Sequence, residues 1–363
     1  MDILPAVMPW RDGAPAWVFV LAMGAALLID VVFGEPPAAL HPVVWMGRYL
    51  GWAGRRFAPA AEIPAAANEP DYRAFARGAC FWWIGAILVM VAATALQFAL
   101  FSGPAWAAVL GFGLLLKPML AWAMLRREVR AVERALGESL AAGRERLSWL
   151  CSRDVSGLDE ARVRETAIES LAENLNDSVV APLFWFVFLG LPGAVLYRYA
   201  NTADAMWGYL GLRDGRDWTW AGRWAARVDD VLSWLPARLT AVLLMLAAGR
   251  LPGHPLGREA RRTPSPNSGW PMAAMAMALG VHLRKPGVYV LNEAAADPQP
   301  PHTARAISLA GRAVLASAAL AMIVIWQGGK SGQAEDEAPP AGTHVHCSEG
   351  ACRPLRDSLA EPA

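Results

Sequence analysis

The chain has 363 residues, of which 55% are hydrophobic and 18% charged, and its net charge is +1. Soluble domains average about 45–50% apolar and about 25% charged residues, so this excess of apolar side chains indicates a membrane protein. The near-zero net charge argues against nucleic acid as a partner, and the four irregularly placed cysteines imply no disulfide framework.

Apolar segments follow one another along the chain, and a bilayer needs about 20 apolar residues per helix. The candidate spans are residues 14–29 extended by 31–33, 78–101, 103–125, 179–197, 232–248 and 313–326. Segment 179–197 contains Pro182 and Pro192, so it is either a full span or a broken, re-entrant one. The pattern predicts an all-α, polytopic helical membrane protein with about 5–6 membrane segments.

The polar segments between the spans are rich in arginine. By the positive-inside rule, residues 34–77, 126–178 and 250–312 belong in the cytoplasm of a multi-pass protein of the cell (inner) membrane. Segment 126–178 predicts two amphipathic cytoplasmic helices, over residues 126–150 and 158–175. A capping box from Ser156 to Asp159 is expected at the start of the second helix.

Residues 1–327 are predicted to form a single integral membrane catalytic domain. From residue 328 onward Gly, Ser, Asp, Glu and Pro dominate, and residues 328–363 are predicted to be a disordered tail.

Four carboxylates stand four residues apart in the second amphipathic helix, namely Glu165, Glu169, Glu173 and Asp177. They share one face, and each like-charge pair costs a few tenths of a kcal/mol. On pattern alone a solvated face, helped by Arg162 within the stripe, is the favoured interpretation. The alternative is a Mg²⁺ site at Glu169, Glu173 and Asp177, the three nearest the apolar run, because Mg²⁺ takes carboxylates together with substrate phosphates.

Further polar clusters flank the later spans, and each has two interpretations. Asn201 and Asp204 form either a helix cap and turn or part of a site. Lys117 and Arg238 lie in or beside spans, where a charge is either functional or anchored at the interface. The remaining candidates are Arg227, Asp229, Asp230, Arg261, Arg262 and Asn267. Gly329-Lys330-Ser331 is not a P-loop, because the required earlier glycine falls at Val324.

Taken in order, these motifs resemble the adenosylcobinamide-phosphate synthase family of cobalamin biosynthesis, from about Asp30 to Arg312. The resemblance is carried by Asp30…Gly34-Glu-Pro-Pro…His41-Pro42, Lys117, Arg153-Asp154…Leu158-Asp159, Glu169-Ser-Leu-Ala-Glu173-Asn174…Asp177, Tyr197-Arg198…Asn201-Thr202…Asp204, Arg227-Val-Asp229-Asp230…Arg238 and Ser265-Pro-Asn267…Gly269-Trp270-Pro271. The sequence departs from the family over residues 210–217 and at Val155.

The resemblance implies an integral membrane enzyme, an ATP-dependent acid–amine ligase. It would join the carboxylate of adenosylcobyric acid, a corrinoid, to (R)-1-amino-2-propanol or its phosphate, giving adenosylcobinamide or its phosphate with ATP and Mg²⁺. Membrane lipid and other membrane enzymes of cobalamin assembly are the further partners it implies. A non-enzymatic membrane sensor of a related branch is the alternative. A transporter is less favoured, because the charges cluster outside the spans and no internal halves are visible.

With this resemblance the acidic stripe is interpreted as the Mg-ATP edge of the site, and Glu165 as a surface pair with Arg162. The metal ligands expected are Glu169, Glu173 and Asp177. The catalytic set expected is Glu173, Asp204, Asp229, Asp230 and Arg238, with an aspartate accepting the proton of the attacking amine. The set expected to bind or orient ATP and substrate is Arg227, Arg262, Asn201, Asn267 and Lys117.

Overall fold

The computed structural model describes residues 15–60, 69–151 and 153–336, and the short segments 345–348 and 351–354. Its α-helices are α1 Ala16–Phe33, α2 Pro42–Phe57, α3 Tyr72–Phe101, α4 Ala105–Leu116, α5 Trp122–Glu138, α6 Leu140–Leu147, α7 Glu160–Leu175, α8 Ala181–Trp207, α9 Arg223–Ala247, α10 His254–Ala260, α11 Gly269–Leu279 and α12 Pro300–Asp336. The strands form three antiparallel hairpins: β1 Leu212–Arg213 with β2 Arg216–Asp217, β3 Leu283–Lys285 with β4 Tyr289–Leu291, and β5 Val345–Ser348 with β6 Ala351–Pro354.

Long apolar helices make up most of the described chain, so the all-α prediction is confirmed. Within the described residues, six stretches are long and apolar enough to cross a membrane: Ala16–Phe33, Tyr72–Phe101, Ala105–Glu138, Glu160–Trp207, Arg223–Ala247 and Pro300–Lys330. On α3 the side chains of Ile87, Leu88 and Val91 are 56%, 58% and 64% exposed. An apolar surface of this kind fits lipid better than water.

The predicted third span is broken where Lys117 interrupts it. Helix α4 ends there, a 3₁₀ turn follows over Lys117–Met119, and α5 begins at Trp122. Pro118 has no N–H to continue the helix. The Asp30 carboxylate of α1 accepts the backbone N–H of Ala123 at 2.8 Å, which satisfies one of the free donors at the start of α5.

Helix α8 folds back on itself at Gly190, where φ is 64° and ψ is −149°. A backbone of this kind strongly favours glycine. The N–H of Leu191, just past the bend, donates to the Gln97 side chain of α3 at 3.0 Å. Tyr197, on the returning limb, brings its hydroxyl to 3.4 Å from Asp177, which precedes the outgoing limb. Segment 179–197 is therefore re-entrant, and its two ends lie together.

Two predicted details of the segment 126–178 are wrong. The expected single helix over 126–150 is divided into α5 and α6, because Ser139 takes an extended conformation and caps α6 by accepting the N–H of Ala142. Helix α7 begins at Glu160, with Asp159 rather than Ser156 as the N-cap, and the Asp159 carboxylate accepts the N–H of Arg162 at 2.9 Å.

Helix α7 and the π-helical turn Asn176–Val180 that follows it lie at the centre of the bundle. Helices α5, α9, α11 and α12 and the strand β3 pack around them. Helix α12 continues to Asp336. The rest of the predicted tail lies mostly outside the described residues, and the division at residue 327 stays a prediction.

Candidate active site

Glu165, the first member of the acidic ladder, is fully buried in a polar network with the hairpin β3–β4. Its carboxylate lies 3.0 Å from the Arg284 guanidinium, accepts the Arg284 backbone N–H at 3.1 Å, and lies 3.3 Å from Nε2 of His282. The expected surface pair with Arg162 is wrong, since Arg162 lies beside Asp159 instead. A solvated acidic face is also wrong for this half of α7.

Glu169, the second member, is also buried, and both of its oxygens have donors. Arg153 donates to Oε2 at 2.9 Å, and the Tyr289 hydroxyl donates to Oε1 at 3.0 Å. Burial and the adjacent Glu169 carboxylate raise the pKa of Tyr289 above its usual 10, so the phenol remains a donor. Both oxygens therefore already have protein donors, and the 2% exposure of the side chain leaves little room for a metal ion.

Glu173 and Asp177 continue the ladder into a more open region. Glu173 is exposed, and its carboxylate has no hydrogen bond or ion pair among the described residues. Asp177 accepts hydrogen bonds from the side-chain amide of Asn176 at 2.8 Å, from Asn201, and from the Tyr197 hydroxyl at 3.4 Å. The end of the ladder nearest the re-entrant segment is thus where negative charge is least balanced.

Two more carboxylates, Asp204 of α8 and Asp229 of α9, lie within electrostatic range of Asp177. Asp230 of α9 lies within the same range of Asp204 and Asp229. The amide of Asn201 donates to Asp229 at 3.5 Å and so links α8 to α9. A Cβ at position 208 would fall 1.9 Å from Oδ1 of Asp204, so Gly208 leaves room for that carboxylate. The expected catalytic aspartates therefore converge on one cluster with Asp177.

Arg238 connects this cluster to the loop before α11. Its guanidinium lies 4.1 Å from the centre of the Trp234 ring and 4.7 Å from that of Trp270. It also donates to the side-chain carbonyl of Asn267 at 3.3 Å. Asn267 in turn donates to the backbone carbonyl of Asp230 at 2.7 Å. Two motifs far apart in the sequence thus place one cation and one amide beside the acidic cluster.

Of the residues expected to bind ATP and substrate, two are already ion-paired and one is exposed. Lys117 is buried, 3.2 Å from Asp30 and 2.7 Å from Glu35, so its charge is matched. Arg262 is paired with Glu259 and Glu293, each at 3.3 Å. Arg227 is exposed, without a side-chain partner among the described residues.

Sequence reasoning assigned no role to Arg198, which the structure places between the two limbs of the re-entrant segment. Its guanidinium donates to the backbone carbonyl of Asp177 at 3.1 Å and to the Ser178 hydroxyl at 3.0 Å. Sequence reasoning also assigned no role to Arg153 or Tyr289, which donate hydrogen bonds to Glu169. The signal available for Arg198 was its charge within an apolar run.

The donor atoms in the cluster are suited to a hard cation. Glu173, Asp177, Asp204 and Asp229 offer carboxylate oxygens, which are ligands that Mg²⁺ prefers. Among the described residues, the group whose ligand atoms lie within 4.8 Å of one another is a different one, Glu165 with His282 and Asp297. The Arg284 guanidinium lies 3.0 Å from Glu165 and 2.9 Å from Asp297. The negative charge of that group is therefore already balanced by an arginine.

Comparisons with known proteins assign the chain to a family. The family model described as "CobD/Cbib protein" matches residues 23–314. A cobalamin biosynthesis protein CobD of Chromobacterium violaceum is 44% identical over 72% of this chain and 80% of its own length. Probable cobalamin biosynthesis proteins CobD of Methanothermobacter thermautotrophicus and Methanothrix thermoacetophila are 40% and 37% identical, over 74% and 83% of this chain and 85% and 95% of their own lengths. No solved structure matches significantly. The match covers most of the chain, including α7 and both limbs of the re-entrant segment, so the protein belongs to the CobD/CbiB family of cobalamin biosynthesis proteins.

Proposed function

We propose that this protein is a membrane enzyme that forms an amide bond between the carboxylate of adenosylcobyric acid and (R)-1-amino-2-propanol or its phosphate, using ATP and Mg²⁺. The observation that carries the proposal is the convergence of Glu173, Asp177, Asp204 and Asp229 at the re-entrant junction. Family membership supplies the corrinoid as the substrate class. The unbalanced negative charge supports a cation as a further component.

Glu173 and Asp177 would hold the Mg²⁺ ion, with Asp204 or Asp229 beside them. Mg²⁺ supplies charge neutralisation for the phosphates of ATP. Glu169 fits this role less well, because Arg153 already balances its charge and Tyr289 donates to its other oxygen. We therefore assign Glu169 first to holding α7 against β4, and only second to metal binding.

Amide formation needs an activated carboxylate, because a free carboxylate is a poor electrophile. Phosphorylation by ATP would provide that activation, with ADP released. The amine would then form the C–N bond as phosphate leaves with the electrons of the C–O bond. The amine also loses a proton, and Asp204 and Asp229 are the bases best placed to accept it. Asn201 would orient the carboxylate of Asp229, to which it donates.

Arg238 is suited to the phosphate group. Its guanidinium is held between Trp234 and Trp270 and bonded to Asn267, so its orientation is fixed. Trp234 is half exposed, and its ring offers a flat apolar surface next to this cation. A fixed guanidinium recognises phosphate through paired hydrogen bonds. Since ATP is cytoplasmic, the proposal also places the cluster and the arginine-rich loops on the cytoplasmic side of the inner membrane.

The direct test is product formation by the purified protein in lipid nanodiscs. The protein is incubated with adenosylcobyric acid, Mg-ATP and either aminopropanol or its phosphate, and the corrinoid products are identified by mass. We expect the amide product with one of the two amines, and no product when ATP or Mg²⁺ is left out. Absence of product together with absence of ATP and corrinoid binding would contradict the proposal and favour a membrane sensor.

A further inference from the structure

A cavity of about 760 Å³ opens between the end of α1, the exposed face of α5 and the start of α12. Its lining shares no residue with the carboxylate cluster. One wall is Ala123, whose backbone N–H is already bonded to Asp30. The cavity adjoins the end of the stretch Ala105–Glu138 at which the apolar run gives way to charged residues.

The cavity carries a stripe of arginines along one face of α5. Arg126, Arg130 and Arg134 are four residues apart, and none has a hydrogen bond or ion pair with another residue that the structure describes. The carboxylate that lines the cavity, Glu133, is already engaged by Arg164 at 2.9 Å and by the Thr303 hydroxyl at 2.6 Å. Three neighbouring like charges without a counter-charge repel one another, so the cavity is suited to an anion.

An apolar groove continues from this basic cavity along the membrane-facing helices. A second cavity of about 510 Å³ shares Arg126 and Arg130 and extends past Leu27 of α1 to Leu315 of α12. Arg312 also lines it, and its guanidinium donates to the Ala247 carbonyl at 3.3 Å. Leu315 is 71% exposed, and Phe33, at the mouth of the first cavity, is 78% exposed. A ligand that fills both cavities has an anionic head and an apolar chain.

The geometry points to a binding site for an anionic phospholipid, with the phosphodiester at Arg126, Arg130 and Arg134 and an acyl chain between α1 and α12. Basic pockets between membrane helices bind such head groups, and each arginine near an anionic surface adds to the attraction. A free nucleotide would satisfy the arginines but leave the apolar groove unfilled. The site is independent of the catalytic proposal, because it uses none of the same residues.

The test is native mass spectrometry of the full-length protein in detergent, titrated with phosphatidylglycerol or with phosphatidylcholine of the same chain length. The variant replaces Arg126, Arg130 and Arg134 with glutamine. Its matched control replaces Arg48, Arg73 and Arg77, three exposed arginines away from the cavity, with glutamine and loses the same charge. We expect the first variant to lose affinity for phosphatidylglycerol by at least about tenfold. The control and the wild-type protein should prefer phosphatidylglycerol equally.

Equal affinity in the two variants would overturn the proposal. The proposal would also be overturned if the variant at Arg126, Arg130 and Arg134 lost ATP binding but kept phosphatidylglycerol binding. That result would assign the arginines to a nucleotide. If the triple variant does not fold, the single change Arg130→Gln replaces it in the titration. This single change should also weaken phosphatidylglycerol binding. In the wild-type protein, raising the salt concentration should weaken phosphatidylglycerol binding and leave phosphatidylcholine binding unchanged, and a salt-independent preference would contradict the site.

Discussion

Arg198 donates a hydrogen bond to the backbone carbonyl oxygen of Asp177 at 3.1 Å, and so ties the returning limb of α8 to the turn that precedes the outgoing limb. The turn Asn176–Val180 is π-helical, which leaves backbone groups outside the regular helical pattern. The same guanidinium donates to the Ser178 hydroxyl. Together with the Tyr197 hydroxyl, Arg198 therefore holds the two limbs beside the acidic cluster.

Arg198→Met should destabilise the protein by about 2 kcal/mol, because the Asp177 carbonyl and the Ser178 hydroxyl would lose a charged donor in a mostly buried place. The measurement is the free energy of unfolding in mixed detergent micelles. Arg305→Met is the control, since Arg305 is exposed and has no side-chain partner among the described residues. Equal stability of the two variants would show that Arg198 does not hold the turn.

The buried pair of Lys117 and Asp30 offers a second test. Lys117 lies 3.2 Å from Asp30, whose side chain is fully buried. Lys117→Met should cost about 3–5 kcal/mol, because it leaves a carboxylate buried without its cation. Asp30→Asn with Lys117→Met should recover part of that loss. A double-mutant cycle of unfolding free energies gives the coupling between the two residues, and a coupling near zero would contradict a structural ion pair.

Much of the fold could be predicted from the sequence, because long apolar runs indicate membrane-spanning helices. The six long apolar stretches of the described residues follow this signal. The re-entrant form of 179–197 could not be settled, because prolines at 182 and 192 are compatible with a kinked span or a hairpin. The deciding feature is the positive φ of Gly190, which a sequence pattern does not specify.

The site was partly predictable for a similar reason. Sequence motifs named Asp204, Asp229 and Asn201, and the structure brings them together. Sequence could not show that Glu165 and Glu169 are buried against β3 and β4, because their partners Arg284 and Tyr289 come from a hairpin more than a hundred residues later. Helical spacing reports which residues share a face, but not which distant element covers that face.

The pH dependence of stability should reveal the role of Glu35. Burial opposes ionisation of this group, but hydrogen bonds from His41 and Lys117 outweigh burial and hold its pKa below the usual 4.5. His41 accepts the Val43 N–H through Nδ1, so Nε2 carries the proton donated to Glu35. A lowered pKa means that Glu35 adds stability above about pH 4.5, and that this contribution is lost as the pH falls through its folded-state pKa.

Glu35→Gln should therefore lower the unfolding free energy by about 1–2 kcal/mol at neutral pH, and by less as the pH approaches 4. The measurement is the difference in thermal midpoint between wild type and variant across that range. Glu145→Gln is the control, because Glu145 is exposed and its side chain has no partner among the described residues. A difference that stays constant with pH would rule out ionised Glu35 as the source of the stability.

Glu173 and Glu169 should respond differently to the same chemical change. Glu173→Gln removes a carboxylate with no partner among the described residues, so stability should be unchanged. Glu169→Gln takes the charge from a buried group paired with Arg153 at 2.9 Å, so the protein should become less stable by about 1–3 kcal/mol.

If Glu173 binds the Mg²⁺ ion, Glu173→Gln should reduce amide formation by about a hundredfold or more, with a weaker response to Mg²⁺. The measurement is the initial rate over a Mg²⁺ titration at saturating ATP, with Glu138→Gln, an exposed glutamate on α5, as the matched control. Full activity of Glu173→Gln at every Mg²⁺ concentration would remove this residue from the metal site. The contrast with Glu169 then tests whether the two halves of the acidic ladder differ, with Glu169 holding α7 in place and Glu173 binding the metal ion of the proposed reaction.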